Sequence, residues 1–454
     1  MALTIGSATR RDPGGTRNFG HVDQRLITAA DSEKTQRRAA GGLKRAGLDV
    51  GERVVLSLPT SGDLLAVALG ALRSGVVPVM LDPALTAAEH AELVTDADAA
   101  LVVDNQETLQ KLVDGPAVDL ADVPLARPMH YTSGTSGRRK GVWTGVLAET
   151  VAQALFDEEV ELWEFEAADR HLVVGPLYHS APLRFAMHTL LVGGTVLLPG
   201  RFDPAVALSA MTDFRPTTAF CAPTHLKRIF AAGSPLVDSF RLLAHAGESC
   251  PDALKRRVID TFPADAVVEF YGSTEGQFTV CRTSEWLSRQ GTVGRARPGR
   301  RLSVDGGGVI WCEMPSHARF SYWRAPEKTA AAWRGSELTV MDTGRLDDAG
   351  YLYLDGRRDD LIITGGVNVY PLEIERVLNA CPGVRESAVF GMDDEHWGQR
   401  VCAAVVGTAT AAELTEYAKA HLAPAKRPKD YHLVSELPTS ANGKISRRAI
   451  PDLL

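Results

Sequence analysis

A glycine- and hydroxyl-rich segment carries the residue pattern best suited to chemistry. The run Thr132-Ser-Gly-Thr-Ser-Gly-Arg-Arg-Lys-Gly-Val142 follows a predicted strand that ends near Tyr131. Its backbone N–H groups and hydroxyls can surround phosphate oxygens, and Lys140 adds a positive charge. The glycine spacing is not that of a Walker P-loop, and no Lys-Ser/Thr pair follows the last glycine. The segment therefore predicts a phosphate cradle of another type, although its composition alone also fits a surface turn.

Seven more segments follow in order and complete a wider pattern. They occupy residues 175–180, 222–224, 271–275, 342–347, 356–360, 365–375 and 438–444. With residues 132–142 they resemble the motifs of the adenylate-forming superfamily, which contains acyl-CoA synthetases, nonribosomal-peptide adenylation domains and beetle luciferases. The resemblance implies a two-step ligase. A carboxylic acid first reacts with ATP to give an acyl-adenylate and pyrophosphate, and a thiol then displaces AMP.

The resemblance also implies the nucleotide and metal sites. Tyr271 would stack on adenine, and Thr274 would contact a phosphate. Glu275 and Thr132 would hold Mg²⁺, a cation that prefers oxygen ligands. Asp342 would bind both ribose hydroxyls, because a carboxylate can accept two hydrogen bonds from a diol. The full set expected around ATP and AMP is Thr132, Ser133, Gly134, Thr135, Ser136, Gly137, Lys140, Gly247, Glu248, Ser249, Tyr271, Gly272, Ser273, Thr274, Asp342, Arg357 and Lys444.

Two side chains are expected to act on the acid itself. Lys444 would bridge the substrate carboxylate and the α-phosphate, so that its ammonium stabilises the negative charge that develops at phosphorus. His179 would line the acyl pocket and gate the thiol tunnel. It is not needed as a base, because a carboxylic acid is already ionised at neutral pH. The predicted catalytic set is Lys444, Glu275, Thr132 and His179.

The same resemblance implies a moving domain and an acyl pocket. Asp359 would be the hinge about which a small C-terminal domain reorients between the half-reactions, and Gly365 and Gly366 would then approach the thiol. The sequence places no acidic residue to pair with an α-amino group, so we expect an aromatic or medium-length apolar acid rather than an amino acid. The predicted pocket residues are His179, Phe220, Ala222, Gly247 and Gly272.

The elements that must position these residues follow an α/β pattern. Strand-like and helical stretches alternate from about residue 33 to 103 and again from 171 to 221, which predicts two β/α-layered subdomains with mostly parallel sheets. Short β runs with glycines and prolines at 292–355 predict a small β-barrel-like subdomain. The tail has its own pattern and is long enough for a small mobile α+β domain. We therefore predict a flexible lead-in at 1–20, a large N-terminal domain at 21–355, a hinge at 356–360 and a C-terminal domain at 361–454.

Composition excludes several other classes of protein. A net charge of -7 without a Lys/Arg run argues against a nucleic-acid partner. The sequence contains no uninterrupted stretch of about 18 apolar residues, so we predict no membrane span. The six cysteines are scattered without a Cys-x-x-Cys pair, which fits a reducing, cytoplasmic location.

The predicted ligands are ATP, Mg²⁺, a small carboxylic acid and coenzyme A, on a monomer or homodimer. Coenzyme A is the preferred thiol because no carrier domain is attached. Three alternatives stay open. The chain could load a separate carrier protein, activate another oxyanion such as nitrite for an amine acceptor, or be an inactive homologue, against which the intact motif residues argue.

The sequence departs from the usual motifs in three places. Arg139 stands where a proline normally precedes the loop lysine, and Trp143 stands where smaller polar residues are usual. Val340 and Met341 precede Asp342 in place of Thr-Gly. We expect a less rigid phosphate loop and an altered backbone ahead of Asp342.

Overall fold

The computed structural model describes residues 25–132, 139–357, 360–364, 367–394, 397–439 and 445–454. Several predictions lie outside this part of the chain. They concern the lead-in at 1–20, Ser133, Gly134, Thr135, Ser136, Gly137, Asp359, Gly365, Gly366 and Lys444. Arg357 is described only in its backbone.

Thirteen helices occur in the described ranges. They are α1 (Ala29–Arg45), α2 (Gly62–Arg73), α3 (Ala87–Ala97), α4 (Gln106–Val113), α5 (Glu149–Trp163), α6 (Ser180–Leu191), α7 (Pro204–Phe214), α8 (Pro223–Ala232), α9 (Asp252–Thr261), α10 (Thr283–Ser288), α11 (Pro326–Ala332), α12 (Pro371–Asn379) and α13 (Ala411–His421). None of these described helices is both long enough and apolar enough to cross a membrane.

The described strands number twenty-five. They are β1 (Arg25–Thr28), β2 (Arg53–Leu56), β3 (Val77–Met80), β4 (Leu101–Val103), β5 (Met129–Thr132), β6 (Lys140–Trp143), β7 (Arg170–Val173), β8 (Thr195–Leu198), β9 (Thr218–Cys221), β10 (Leu242–His245), β11 (Val267–Glu269), β12 (Thr279–Arg282), β13 (Arg295–Ala296), β14 (Arg301–Val304), β15 (Ile310–Glu313), β16 (Ser321–Tyr322), β17 (Trp333–Arg334), β18 (Glu337–Leu338), β19 (Asp342–Leu346), β20 (Leu352–Arg357), β21 (Ile362–Thr364), β22 (Val367–Val369), β23 (Val384–Asp394), β24 (Gly398–Gly407) and β25 (Asp430–Leu433).

Two large sheets form the body of the N-terminal domain. One has six strands in the order β16-β6-β5-β3-β2-β4, and the other has eight in the order β1-β8-β7-β9-β10-β11-β12-β13. Neighbours within β4-β2-β3-β5 and within β8-β7-β9-β10-β11 are parallel, whereas the outer strands join antiparallel. Parallel strands are covered by helices on both faces, and β2, β3, β9 and β10 are accordingly apolar and buried. The two predicted β/α-layered subdomains are confirmed.

Helix α6 links the two sheets. It packs on β7, β8 and β9 of the eight-stranded sheet and also touches α1 and α2 of the other subdomain. Its apolar residues Leu183, Ala186, Met187 and Leu190 join a single buried cluster with those helices. The residues at the start of α6 are therefore fixed between the two subdomains.

Two smaller units complete the chain. Strands β14, β15, β17 and β18 form an antiparallel sheet next to the β19-β20 hairpin, in place of the helical pattern seen elsewhere. In the C-terminal domain, β25 and a mostly antiparallel sheet of β21 to β24 are packed by α12 and α13. The fold class is thus a large α/β domain with several sheets followed by a small α+β domain, as the sequence predicts.

Candidate active site

The predicted site residues lie where parallel strands end. Thr132 is the last residue of β5, Ala222 directly follows β9, and Gly247 lies just beyond β10. Tyr271 comes two residues after β11, and His179 comes shortly after β7. Thr132 belongs to the six-stranded sheet, whereas the other four follow strands of the eight-stranded sheet. Because open α/β sheets bind ligands outside the carboxyl ends of their strands, the candidate binding edge lies where the strand ends of the two sheets meet.

A carboxylate and two hydroxyls meet at this edge. The Thr132 hydroxyl lies 3.2 Å from Glu275 Oε1, and the Tyr322 hydroxyl donates to the same oxygen at 3.0 Å. Glu275 is buried, and the pKa of Tyr322 is raised above its usual range by burial and by the Glu275 charge. Lys140 Nζ lies 4.2 Å from the centre of the Tyr322 ring. Carboxylate and hydroxyl oxygens are suitable Mg²⁺ ligands, so Glu275 and Thr132 fit the predicted metal site.

Arg127 holds the backbone of the loop that carries Glu275. Its Nη2 donates to the Thr274 carbonyl at 2.6 Å, and its Nη1 lies 3.4 Å from the Glu275 carbonyl. Burial, followed by repulsion from Arg184, lowers the pKa of Arg127 to about 10. Gly272 makes the tight turn possible, because a Cβ there would lie 2.5 Å from the Gly276 carbonyl oxygen. The sequence analysis did not identify Arg127, since no motif includes it.

The predicted adenine and ribose residues are hydrogen-bonded to each other. The Tyr271 hydroxyl donates to Asp342 Oδ2 at 2.8 Å. Asp342 begins β19 and pairs in register with Arg357 of β20, which brings the backbone of that predicted ribose residue alongside. Met341, just before Asp342, has φ +64, a left-handed conformation that favours the glycine of the usual motif. We expected Val340 and Met341 to alter the backbone here. Instead, the backbone has the left-handed conformation that suits glycine, with methionine at that position.

Glu248 links two of the motifs. Its Oε1 accepts a hydrogen bond from the Thr224 backbone N–H at 2.6 Å, at the start of α8. A carboxylate at a helix N-terminus is stabilised by unpaired N–H groups and the helix dipole. Gly247 has φ +99 and open space where a Cβ would point, and both Gly247 and Ser249 are exposed. The predicted 247–249 segment therefore presents an open backbone at the binding edge.

Two protein-family models match this chain. The model of the AMP-binding enzyme matches residues 8–127 and 127–309, and that of the AMP-binding enzyme C-terminal domain matches residues 373–444. The chain belongs to the AMP-binding enzyme family. Within that family it is a member of the AMP-forming acid–thiol ligases.

Individual relatives cover almost the whole chain. An uncharacterized acyl–CoA ligase, YhfT of Bacillus subtilis, is 29% identical over 98% of this chain and 97% of its own length. A feruloyl-CoA synthase of an Amycolatopsis species is 32% identical over 92% of both chains. The crystal structure of ATP-bound MatB from Rhodopseudomonas palustris superposes with a TM-score of 0.81 at 29% identity and covers 93% of each chain.

His179 lies near two other histidines, His130 and His225. It is the N-cap of α6, and its ring centre is 4.7 Å from that of Tyr178. Burial, followed by repulsion from His179, lowers the pKa of His130 to about 3 and that of His225 to about 4. His130 and His225 are therefore neutral at physiological pH. This surrounding fits the predicted pocket-lining role better than a role in proton transfer.

Aromatic rings form one wall of the predicted acyl pocket. Phe220 is buried in β9, 5.8 Å from the Phe270 ring and 5.7 Å from the Phe185 ring of α6. A polar group also lies in this wall, since Arg184 Nε is 3.3 Å from Glu159 Oε2. The sequence indicates a pocket wall at 183–191 but does not single out Arg184, and it assigns no role to Glu159. The arginine in the helix that follows the His179 motif could have indicated this polar group.

The two departures in and after the phosphate loop have partners. Arg139 Nη2 donates to Glu89 Oε1 of α3 at 2.9 Å, which ties this end of the loop to a helix. Trp143 packs on Trp323 with ring centres 4.8 Å apart. The Trp323 Nε1–H in turn donates to the Asp96 carbonyl at 2.7 Å. Trp143 therefore has a structural partner on β6, and Arg139 supplies an ion pair where the usual motif has proline.

Replacing Asp342 by alanine should weaken ATP binding by about 10- to 100-fold. The variant loses a charge-assisted hydrogen bond to the ribose, worth about 1.5 to 3 kcal/mol. Calorimetric titration with ATP measures the change, and thermal melting shows whether the loss of the Tyr271 acceptor disturbs the fold. The exposed Asp348, on the same hairpin, gives the control Asp348→Ala. Equal affinity of Asp342→Ala and Asp348→Ala would remove Asp342 from the nucleotide site.

Proposed function

We propose that this enzyme converts an aromatic or medium-length apolar carboxylic acid into its acyl-adenylate and then into its coenzyme A thioester. One observation carries the proposal. The hydroxyls of Thr132 and Tyr322 both contact the Glu275 carboxylate, Lys140 lies over the Tyr322 ring, and Tyr271, on the loop that carries Glu275, is hydrogen-bonded to Asp342. An oxygen-ligand set for a cation thus lies next to a platform suited to a nucleoside.

In the first half-reaction, the acid oxygen attacks the α-phosphorus of ATP, and the bond to pyrophosphate breaks. Tyr271 and Asp342 would bind the nucleoside, and Thr132, Lys140 and the loop at 133–137 would bind the phosphates. Mg²⁺, held by Glu275 and Thr132, would supply positive charge to the phosphate oxygens. Arg127 keeps Glu275 in place through its hydrogen bonds to the loop carbonyls. Lys444 would stabilise the charge at phosphorus.

In the second half-reaction, a thiol sulfur attacks the acyl carbonyl carbon, and AMP leaves with the electron pair of the broken bond. Coenzyme A is the proposed thiol, and the names of the acyl–CoA ligase and feruloyl-CoA synthase relatives support this choice. Reorientation about Asp359 would bring Gly365 and Gly366 to the acceptor, with His179 beside its path. The two neutral histidines around His179 would keep this path free of extra charge.

Pyrophosphate release with a panel of acids tests the proposal. Each acid is incubated with ATP, Mg²⁺ and either coenzyme A, a phosphopantetheinylated carrier protein, or an amine. We expect pyrophosphate and AMP in equal amounts and a mass-spectrometric signal for the coenzyme A thioester. If the thioester formed only on the carrier protein, the acceptor would be that protein and not coenzyme A. Pyrophosphate release with nitrite and an amine but with no carboxylic acid would contradict the proposed reaction.

A further inference from the structure

Arg184 projects into the aromatic wall of the predicted acyl pocket. It lies in α6, shortly after His179. Its guanidinium carbon is 5.7 Å from the centre of the Phe270 ring and 5.9 Å from that of Phe185. Phe270 directly precedes Tyr271, which begins the loop that carries Glu275. The cation is thus close to the proposed nucleotide site on the side where the acid would extend.

The guanidinium of Arg184 is only partly satisfied by the protein. Its Nε is buried, and the nearest carboxylate oxygen, Glu159 Oε2, lies 3.3 Å away without forming a hydrogen bond. The side chain is 21% exposed although the rings around it are buried. A guanidinium presents several N–H donors, and those of the two Nη nitrogens have no acceptor among the described residues. The two Nη nitrogens are therefore available to an acceptor that enters from the pocket.

The ion pairs behind Arg184 leave an excess of positive charge. Arg297 bonds Glu159 at 2.9 Å and Glu158 at 2.6 Å, and Arg300 pairs with Glu158 at 2.6 Å. Arg297 and Arg300 are almost fully buried. Burial raises the pKa of Glu159, but the charges of Arg184 and Arg297 lower it by more. The net shift is downward, so Glu159 is ionised. Among the described residues of this cluster, there are three cations and two anions. The cations are Arg184, Arg297 and Arg300, and the anions are Glu158 and Glu159.

Other groups next to the cluster do not remove this excess. His317 Nε2 contacts Glu158, and an imidazole ring adds no negative charge to the cluster. Gln277, whose Oε1 accepts from Arg297 at 3.0 Å, is uncharged. Arg127, a fourth cation nearby, is bonded to carbonyl oxygens and has the Glu275 carboxylate as a neighbouring anion. One more negative charge is needed in a region of low dielectric constant, where an uncompensated charge is expensive.

We propose that Arg184 binds a second acidic group of the substrate, so that the enzyme activates dicarboxylic acids in preference to monocarboxylic acids of the same skeleton. This inference rests on the proposed two-step reaction and changes its substrate from an apolar acid to one whose aromatic or medium-length skeleton carries a second carboxylate. One carboxylate would react at the α-phosphorus, while the distal one accepts two parallel hydrogen bonds from the Nη nitrogens, the geometry that a guanidinium favours. The same positive charge would repel an amino group.

Matched pairs of acids test the preference directly. We would measure kcat/KM for pyrophosphate release with benzoate against benzene-1,4-dicarboxylate, and with butanoate, hexanoate and octanoate against the diacids of equal length. The expected result is a preference of about 10²-fold or more for the diacid in at least one pair, the size typical of a buried charged contact. Monoacids that react as well as the diacids in every pair would overturn the inference.

Arg184→Met tests whether this residue is responsible. Methionine keeps the apolar stem, and Glu159 retains Arg297 at 2.9 Å and the Trp163 indole at 3.1 Å, so that the carboxylate stays bonded. We expect the variant to lose about 10²-fold in kcat/KM for the preferred diacid and to keep or improve its rate with the monoacid. The matched control is Arg256→Met, since Arg256 is an exposed arginine 5.5 Å from the Trp286 ring.

The possible outcomes separate this inference from the function on which it rests. A diacid preference that survives Arg184→Met would exclude Arg184 as the anchor. If Arg184→Met does not fold, Arg184→Lys should retain the sign of the preference, and calorimetric binding of the diacid to the unmodified enzyme remains decisive. Monoacid turnover without diacid turnover contradicts the inference alone. No pyrophosphate release with any carboxylic acid contradicts the proposed function and the inference with it.

Discussion

Replacing Glu275 by glutamine should slow acyl-adenylate formation by about 10²- to 10³-fold, the loss typical of removing one group that stabilises charge in a transition state. The amide keeps the shape of the side chain and can still accept the hydrogen bonds from Thr132 and Tyr322. It lacks the negative charge that Mg²⁺ binding requires. We therefore expect the Mg²⁺ concentration needed for half-maximal pyrophosphate exchange to rise. ATP–pyrophosphate exchange at a series of Mg²⁺ concentrations measures both effects.

A matched control separates the metal from the fold. Glu285 also accepts a hydrogen bond from a tyrosine hydroxyl, that of Tyr351, at 3.2 Å. It belongs to no predicted motif and lies in α10, which follows β12, a strand antiparallel to β11, so that it is at the opposite edge of the sheet from the candidate site. Glu285→Gln should therefore leave the exchange rate within a few-fold of the original. Normal Mg²⁺ dependence of Glu275→Gln would show that Glu275 has a structural role only.

Elements with strong local signals could be predicted to the residue. Helix α7 begins after Asp203, whose side chain caps it, with Pro204 in its first turn. Helix α13 begins with the capping box of Thr410 and Glu413, and α3 with that of Thr86 and Glu89. In each case a side chain satisfies N–H groups that the helix leaves unpaired. The first residue of such a helix can therefore be predicted from the residues next to it.

Other elements have no such local signal. Helices α5 and α9 have no side-chain cap at Ala148 or Pro251, and the sequence analysis did not identify them. Strand β23 has eleven residues, more than its buried run at 387–390, because it pairs with β24 on both sides of that centre. The full length is fixed by the partner strand. Tertiary pairing of this kind does not appear in the hydrophobic pattern of one segment.

The site shows the same division. Tyr271 and Glu275 share one motif after β11, and Thr132 ends a strand of the other large sheet, so only the family resemblance predicted that Thr132 and Glu275 meet. Tyr322 and Arg127 could not be expected there, because they reach the loop at 272–276 from 47 and 147 residues away. Nothing in the residues around them marks the contact. The antiparallel pairing of β16 with β6 in the six-stranded sheet places Tyr322, and the entry to β5 places Arg127.

Lys444→Ala should separate the two half-reactions. Thr439 and Ile445 form a β-bridge, and the Ser446 N–H donates to the Pro438 carbonyl at 2.8 Å, so the two ends of the segment that carries Lys444 are held together. Its ammonium is proposed to stabilise charge at phosphorus, a role confined to adenylation. Its loss should slow adenylation by about 10²- to 10³-fold. With preformed acyl-adenylate, thioester formation should retain much of its rate.

The separation follows from where each reaction develops charge. In adenylation the negative charge grows on the phosphate oxygens, whereas in thioester formation it grows on the acyl carbonyl, so a group placed for the first stabilises only that transition state. Pyrophosphate exchange and acyl-adenylate consumption can be measured on one preparation. Lys419→Ala, an exposed lysine of α13 paired only with Glu416 in the described part of the chain, controls for loss of charge on the same domain. Equal losses in both assays for Lys444→Ala would mean that Lys444 is structural, or that the C-terminal domain stays in one position throughout the cycle.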